Sequence, residues 1–266
     1  MHRALATGLL VIASVTACSD QPIAPPPAPA LATPVPDTIW ESAFTRTDGW
    51  TGADGVATVP LSKSRTLWLF GDSFIGPVRD GKHAEGTTMV NNTIAISPIS
   101  VIPPAPDALT FHWSQTPDHK PAAWSIPEGT PTGEKAEWFW PAGGGIVAPG
   151  GDVEGKERLL LFMIKLGRRA DVPKDSIWNF EARGTTLLTI PNPQDAPDQW
   201  LKLQYPIAPL LDDANRQVTW GAAVLSARNP GDPADDLYIT GIDTTSVLNK
   251  QLLLARARSA TIERFD

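Results

Sequence analysis

Short apolar runs bounded by Gly, Pro, Asp or Asn recur along most of the chain. No stretch of a dozen residues places its apolar positions at the 3.6-residue period of an amphipathic helix. Runs of this length that are rich in apolar and β-branched residues predict strands. The pattern therefore predicts an all-β domain with strands at residues 65–72, 89–97, 108–114, 144–149, 158–166, 184–192, 199–207, 220–227, 236–243 and 250–258.

One of these runs, "LLLFMI" within residues 158–166, is apolar at consecutive positions rather than at alternate ones. Successive side chains of a strand point to opposite faces of the sheet. This strand is therefore expected to be covered on both faces, as happens when sheets stack face to face.

A loose repeat begins at Trp50, Trp140 and Trp220, where a tryptophan is followed by small residues and then by a strongly apolar strand. Radially repeated four-stranded sheets around a crowded axis form a β-propeller, and small residues suit its innermost strands. The repeat predicts about three such sheets, with the repeated tryptophans packed between them. A closed propeller needs at least four, so the chain is expected to be incomplete at its C-terminus; a complete small sandwich is the alternative.

The N-terminus has the features of an export signal. Residues 1–17 have a short basic start and an apolar stretch that is too short to span a bilayer. The ending "VTAC" resembles the lipobox of bacterial lipoproteins, which implies that Cys18 carries a lipid. Residues 18–36 are rich in Pro and Ala and predict a semi-rigid linker, so that the folded domain covers residues 37–266. A lipid-anchored protein of the bacterial cell envelope is expected, on the periplasmic or the surface side.

Charge and composition narrow the partners further. The net charge is -7 and no Lys/Arg cluster is present, which argues against a nucleic-acid partner. The four histidines have no metal-ligand spacing, and the sequence contains no phosphate-binding Gly loop. Neither a metal nor a cofactor is therefore expected. We expect a monomer that contacts the membrane only through its anchor.

Two glycine-flanked acids, Asp54 and Asp72, lie in "DGWTGADGVATVPLSKSRTLWLFGDSFIG", residues 48–76. One opens a predicted strand and the other closes the next, so antiparallel pairing would bring both to the same end of one sheet. Asp54 has no acidic counterpart in the later repeats, where Gly144 and Val224 occupy the equivalent positions. A functional pair is one interpretation; an Asp-Gly turn that supports a hairpin is the other.

The order "ADG", "FGDSF", "NN", followed later by "WGAAVL" and "LLLAR", resembles a bacterial group of five-bladed β-propellers related to glycoside hydrolases. That group was long catalogued as a domain of unknown function, and some relatives are assigned as endo-D-arabinanases. The resemblance covers about residue 37 to the C-terminus and implies that Asp54 and Asp72 are the catalytic acids. It implies a glycosidase acting on a furanose-rich, arabinan-like polysaccharide. A non-catalytic glycan-binding or envelope-interaction lipoprotein is the alternative.

Glycoside cleavage requires one protonated carboxyl group to assist the leaving oxygen and one ionised carboxylate as nucleophile or base. Apolar surroundings keep a carboxyl group protonated. Asp72 lies between "LWLF" and Phe74, so it is assigned as the acid, and Asp54 as nucleophile or base.

Candidate substrate-binding residues surround these acids in the sequence. Asn91 and Asn92 alternate across a strand, so only one of them can face a pocket and bind sugar hydroxyl groups; a satisfied β-bulge is the alternative. Trp138, within "EWFWP", is expected to line a loop. Arg79 and His83 lie in a polar loop that could contact substrate or merely be solvated.

Overall fold

The structure is a computed structural model that describes residues 34–99, 108–131, 133–150, 156–207, 217–228, 231–244 and 250–264. The chain divides into two units, Met1–Pro36 and Asp37–Asp266. The predicted signal peptide, Cys18 and most of the predicted linker lie outside the described residues. No helix in the described part of the chain is long and apolar enough to cross a membrane.

The first half of the domain contains one short helix and many short strands. Asp37 caps the helix, since its Oδ1 accepts hydrogen bonds from the backbone N–H groups of Ile39 and Trp40. The elements are α1 (Thr38–Phe44), β1 (Trp50–Ala53), β2 (Ala57–Pro60), β3 (Arg65–Phe70), β4 (Ser73–Ile75), β5 (Val78–Arg79), β6 (Lys82–His83), β7 (Thr88–Val90), β8 (Thr93–Pro98), β9 (Thr110–His112), β10 (Ser114–Gln115) and β11 (Pro121–Ala122).

Longer strands form the second half of the domain. They are β12 (Glu137–Pro149), β13 (Glu157–Gly167), β14 (Glu181–Ile190), β15 (Leu203–Ile207), β16 (Gln217–Ala227), β17 (Asp236–Thr244) and β18 (Lys250–Arg258). Short 3-10 turns occur at Gly133–Lys135, Pro197–Gln199 and Ser259–Thr261. The prediction of an all-β domain is confirmed.

Antiparallel pairing groups the strands into sheets. In the described residues, β1, β4 and β7 form a short sheet in the order β1-β4-β7, and β2-β3-β8-β9 form the N-terminal sheet. The middle sheet has the order β12-β13-β14-β15, and the C-terminal sheet has the order β16-β17-β18. The pairs β5-β6 and β10-β11 are separate hairpins.

The middle sheet is covered on both faces, as the apolar run in β13 predicts. One face of β13 packs against the N-terminal sheet, and the other face packs against the C-terminal sheet. The first interface contains Leu159, Leu161, Met163, Val59, Leu67 and Leu69, and the second contains Leu160, Phe162, Trp220, Leu237 and Ile239. Burying a large apolar side chain contributes about 1.5–3 kcal/mol, so each of these two interfaces stabilises the domain by several such contributions.

The small residues that follow Trp140 lie where neighbouring sheets meet. The register of β12 against β13 shifts between Pro141 and Gly145. A Cβ atom at Gly145 would lie 2.8 Å from the Val59 side chain of the N-terminal sheet. At Gly144 it would lie 3.0 Å from the Val224 side chain of the C-terminal sheet. Glycine at both positions therefore allows the three sheets to approach one another.

Candidate active site

Asp54 and Asp72 are neighbours across two antiparallel segments. The backbone N–H of Asp54 donates to the carbonyl oxygen of Asp72 at 3.1 Å, and the N–H of Gly71 donates to the carbonyl oxygen of Asp54 at 2.9 Å. Gly71 and Asp72 of one segment thus both bond to Asp54 of the other. Two residues opposite one is the arrangement of a β-bulge. The bulge lies between the short sheet and the N-terminal sheet, and bulges of this kind redirect side chains.

The side chain of Asp54 is exposed and lies against Gly71. A Cβ atom on residue 71 would overlap the Oδ1 atom of Asp54, whereas Gly71 itself is buried and has an ordinary backbone conformation. The glycine is therefore needed to leave room for the carboxylate of Asp54. It is not needed for an unusual φ angle.

Asp72 is half-buried, and its Oδ1 atom accepts two hydrogen bonds. Trp140 Nε1 donates at 2.8 Å and Asn91 Nδ2 donates at 3.3 Å. Burial raises the pKa of Asp72, the two donors oppose this effect, and the negative charge of Asp54 adds to it. The net result is a pKa above the usual value of an aspartate. Such a carboxyl group holds its proton to a higher pH than an exposed one.

The repeated tryptophans have different surroundings. Trp50 and Trp220 are buried, with 5% and 6% of their surface exposed. Trp140 is half-buried and reaches Asp72 across the interface between the middle sheet and the segment that carries the acids. The sequence predicted packing for all three residues and gave no sign of the hydrogen bond from Trp140.

An aromatic strip extends from Trp140 along the middle sheet. The ring centroid of Phe180 lies 5.0 Å from that of Trp140, 6.3 Å from that of Trp138 and 6.4 Å from that of Trp178. Trp178 is 71% exposed. We define the aromatic strip as Trp138, Trp140, Trp178 and Phe180. No sequence pattern marks Trp178 and Phe180 as site residues, because they lie just before β14 and outside the repeat.

Trp138 belongs to β12, so the expectation that it lines a loop is wrong. Its backbone pairs with Leu166 of β13, and the guanidinium of Arg168 lies over its ring at 5.3 Å. The run "EWFWP" is an extended strand because its residues pair with β13 up to Pro141, where the register shifts.

The two asparagines have separate roles. Asn91 donates to Asp72, as described above, and therefore belongs to the site. Asn92 is buried, and its Nδ2 donates to the carbonyl oxygens of Ser125 at 2.9 Å and Phe139 at 2.8 Å. Its Oδ1 accepts from the N–H of Ser125 at 2.9 Å. The amide of Asn92 is thus occupied by backbone groups, and the structure does not bring it to the acids.

Arg79 and His83 lie on the hairpin formed by β5 and β6. The Arg79 side chain is exposed and donates to the carbonyl oxygen of Val78 at 2.9 Å. The ring of His83 stacks on Phe74, with a centroid distance of 4.1 Å. Phe74 follows Asp72 by two residues and pairs with Gly52, which precedes Asp54 by two residues. His83 therefore borders the site through Phe74, whereas Arg79 contacts the backbone of its own hairpin.

Beside the acids lies an open ledge, which we define as Gly52, Phe74 and Met89. Gly52 pairs with Phe74, and Phe74 pairs with Met89, so the three residues form one row across the short sheet. No atom lies within 4 Å of the position of a Cβ atom on Gly52. Met89 is 55% exposed. An extended ligand could lie on this ledge and reach both acids.

The chemistry available here is that of a carboxyl pair. Within the described residues, no group of three or more His, Cys, Asp or Glu side chains could hold a metal ion. Asp72 can donate a proton, and the exposed Asp54 can act as nucleophile or base.

Comparison with solved structures finds a similar fold in a crystal structure of a "putative hydrolase" from Bacteroides ovatus, with a TM-score of 0.54 and 16% sequence identity. The match covers 83% of this chain and 52% of the other chain, so this chain spans about half the length of that protein. A search of curated proteins finds no match. A comparison with protein families matches residues 37–264 to a family described as "Domain of unknown function (DUF5005)". The chain therefore belongs to the DUF5005 family.

Proposed function

We propose that this domain is a glycoside hydrolase in which Asp72 is the general acid and Asp54 is the nucleophile or general base. The observation that carries the proposal is the pairing of an exposed aspartate with a half-buried one whose pKa is raised. Glycoside hydrolysis needs two carboxyl groups in opposite protonation states. The fold shared with a "putative hydrolase" is compatible with this assignment.

The hydrogen bonds of Asp72 indicate which of its oxygen atoms carries the proton. Oδ1 accepts from both Trp140 and Asn91, so the proton of the acid form resides on Oδ2. In the proposed reaction, Oδ2 donates this proton to the glycosidic oxygen as the bond to the anomeric carbon breaks. Asp54 either attacks that carbon or takes a proton from the attacking water. The two N–H donors then stabilise the Asp72 carboxylate that remains.

The proposed substrate is a furanose-rich, arabinan-like polysaccharide. The family resemblance supports this class, and the aromatic strip supports a carbohydrate because aromatic side chains present apolar faces on which sugar rings stack. The ledge beside Asp54 is open at both ends, at Gly52 and Met89, which suits an internal segment of a polymer. Trp138 and Asn91 are proposed to contact the substrate, and His83 to border it.

The proposal extends to architecture and location. We propose that the stacked sheets are blades of a β-propeller, because the first strands of the middle and C-terminal sheets carry Trp140 and Trp220, each followed by small residues. We also propose that the domain is a monomer held at the bacterial cell envelope by a lipid on Cys18. Neither statement is needed for the acid pair to act.

A glycan-binding module without catalysis is the second candidate. It is favoured by Gly144 and Val224, which occupy the positions equivalent to Asp54 in the later sheets, so these positions supply no further acid. In that case the ledge and the aromatic strip would hold a polysaccharide that is not cleaved.

The two candidates differ in one assay. The wild-type protein, Asp54→Asn and Asp72→Asn would be compared for release of oligosaccharides from linear arabinan and for retention of the polymer. Asp118→Asn is the control, because Asp118 is an exposed carboxylate paired with Lys120 in a separate hairpin. Loss of release in both site variants, with retention kept, supports the hydrolase. Unchanged release in both variants contradicts it, and retention without release by the wild type favours the binding module.

A further inference from the structure

A cleft of about 820 Å³ lies beside the aromatic strip, and five of its eleven lining residues are basic. We call it the basic cleft and define it by Lys135, Arg168, Arg169, Lys174, Arg183 and Glu137. It adjoins the strip through Arg168, a lining residue whose guanidinium lies over the ring of Trp138 at 5.3 Å.

Some of the cations in the cleft are already paired. Arg169 forms an ion pair with Asp171 at 2.5 Å, and Arg183 forms one with Glu181 at 2.9 Å. The single acid of the lining, Glu137, pairs with Lys165 at 3.4 Å. Surface pairs of this kind contribute little to stability, and they leave the cleft with more positive than negative charge.

Arg168 has a different environment. Its guanidinium lies over the ring of Trp138 at 5.3 Å and donates to the carbonyl oxygen of Asn179 at 3.4 Å. Within the described residues, neither Arg168 nor Lys135 has a carboxylate partner. The aromatic ring orients the planar guanidinium, and such a group binds carboxylate, sulfate or phosphate oxygens with two parallel hydrogen bonds.

A continuous series of contacts joins the acids to this cation. Asp72 contacts Trp140 at 2.8 Å, the ring of Trp140 lies 5.0 Å from Phe180, and Phe180 lies 6.3 Å from Trp138, on which Arg168 rests. A polymer held on the aromatic strip would therefore have one part at Asp72 and a neighbouring part at Arg168.

We propose that the basic cleft binds an acidic group of the polysaccharide, so that the ligand of this domain is an anionic glycan. This inference rests on the proposed function in that the same polymer occupies the acid pair. Carboxylate groups of uronic acids and sulfate or phosphate esters share the required chemistry, namely a negative group with several acceptor oxygens. Arg168 and Lys135 are the residues that would bind it.

Calorimetric titration of the complete chain tests the proposal with matched probes. The probes are a neutral arabino-oligosaccharide, a uronic-acid oligosaccharide of similar length and a sulfated oligosaccharide; the last two distinguish the source of the charge. At low salt, at least one acidic probe should bind about tenfold more tightly than the neutral one, the gain typical of a charge-assisted contact, and added salt should weaken it. Acidic probes that bind no more tightly than the neutral probe would overturn the proposal.

Single substitutions test whether the acidic probe binds in the basic cleft. Arg168→Gln and Lys135→Gln should each weaken binding of the acidic probe about five- to tenfold and leave binding of the neutral probe unchanged. Arg168→Lys keeps the charge but loses the planar fork, so it should weaken binding less than Arg168→Gln. Lys63→Gln removes an exposed charge from the turn between β2 and β3 and is the control for net charge. Equal weakening by Lys63→Gln and Arg168→Gln would contradict a site in the cleft.

Failure of this inference can be told apart from failure of the hydrolase proposal. Binding of an acidic probe that depends on Arg168, in a protein that cleaves no glycan, supports the basic cleft and rejects the hydrolase. The opposite outcome has two parts: neutral arabinan is cleaved in a way that depends on Asp72 but not on Arg168, and acidic probes bind no more tightly than the neutral one. That outcome rejects the anionic glycan and supports the hydrolase.

Discussion

The indole N–H of Trp140 donates a 2.8 Å hydrogen bond to Oδ1 of Asp72, and the two residues belong to different parts of the fold. Trp140 lies in β12 of the middle sheet, whereas Asp72 immediately precedes β4 of the short sheet. The orientation of the Asp72 carboxyl group therefore depends on how the sheets pack. This contact also opposes the effect of burial on the pKa of Asp72.

Removing the hydrogen-bond donors should raise the pKa of Asp72 further. Trp140→Phe keeps an aromatic ring beside Phe180 but loses the N–H, and it should raise this pKa more than Asn91→Ala, because the Trp140 bond has the larger effect. Asp54→Asn removes a nearby negative charge and should lower the pKa. NMR titration of the Asp72 carboxyl carbon measures this pKa in each of the three variants. Trp220→Phe, at the equivalent position of the C-terminal sheet, should leave the pKa unchanged; a fall in Trp140→Phe would contradict the assignment.

Stability should respond to pH in opposite directions at two aspartates. Folding raises the pKa of Asp72, so the folded state favours its protonated form, and the stabilisation is lost as pH rises from the unfolded value through the folded one. Asp72→Asn lacks this loss and should gain stability relative to wild type over that range. The hydrogen bonds from Lys120 and Thr116 lower the pKa of Asp118, so Asp118→Asn should lose relative stability as pH rises.

Thermal unfolding of wild type and both variants, from about pH 3 to pH 7, brackets the usual titration range of aspartate. The relevant quantity is the difference in melting temperature between each variant and wild type. If the melting temperature of Asp72→Asn minus that of wild type stays constant or falls as pH rises, the folded-state pKa of Asp72 is not raised.

Gly71→Ala should displace the carboxylate of Asp54 without unfolding the domain. The added methyl group would overlap Oδ1 of Asp54, which lies at the movable end of a side chain, whereas the backbone conformation of residue 71 suits alanine. Misplacement of a catalytic group by about 1 Å can cost about 100-fold in rate. Asp118→Asn is the control, because Asp118 is an exposed residue of the separate β10-β11 hairpin. Equal activity in both variants, measured as release of oligosaccharides, would contradict the role assigned to the Asp54 carboxylate.

The strands were predictable because a strand buried on both faces has consecutive apolar residues in its sequence. Continuous apolar residues identified β13, and the predicted bounds of β18 match the observed Lys250–Arg258. The helix α1 was missed, since its seven residues are too few to show a helical period. The loop expected at Trp138 is instead strand β12, which continues to Pro149 after a register shift between Pro141 and Gly145.

The acid site was predictable only within one segment of the chain. The pairing of Asp54 with Asp72 followed from antiparallel neighbours in sequence. The donor from Trp140 and the aromatic strip depend on which sheet packs beside the acids, and no local pattern encodes that choice. Successive side chains of a strand point to opposite faces, so only one of Asn91 and Asn92 could face the site. Which of the two asparagines does so depends on the register of the whole segment.

The buried amide of Asn92 is predicted to matter for stability. Asn92→Ala leaves the carbonyl oxygens of Ser125 and Phe139 and one N–H without their partner, and unsatisfied buried groups cost about 1–3 kcal/mol each. We expect a loss of about 3 kcal/mol in the free energy of unfolding, as part of the surroundings relaxes. Asn91→Ala should change it by less than about 1 kcal/mol, because that side chain is half-buried and makes one long hydrogen bond. Denaturant unfolding measures both, and equal losses would contradict the division of roles.

The central claim is that Asp54 and Asp72 act as one catalytic unit, and a double-mutant cycle tests it most directly. The rate of oligosaccharide release would be measured for wild type, Asp54→Asn, Asp72→Asn and the double variant. General acid–base groups contribute about 10²–10⁴ in rate, and groups that act together give strongly non-additive losses. We predict that each single variant loses almost as much rate as the double variant. Rates that multiply independently, or a single variant that keeps wild-type activity, would contradict the claim.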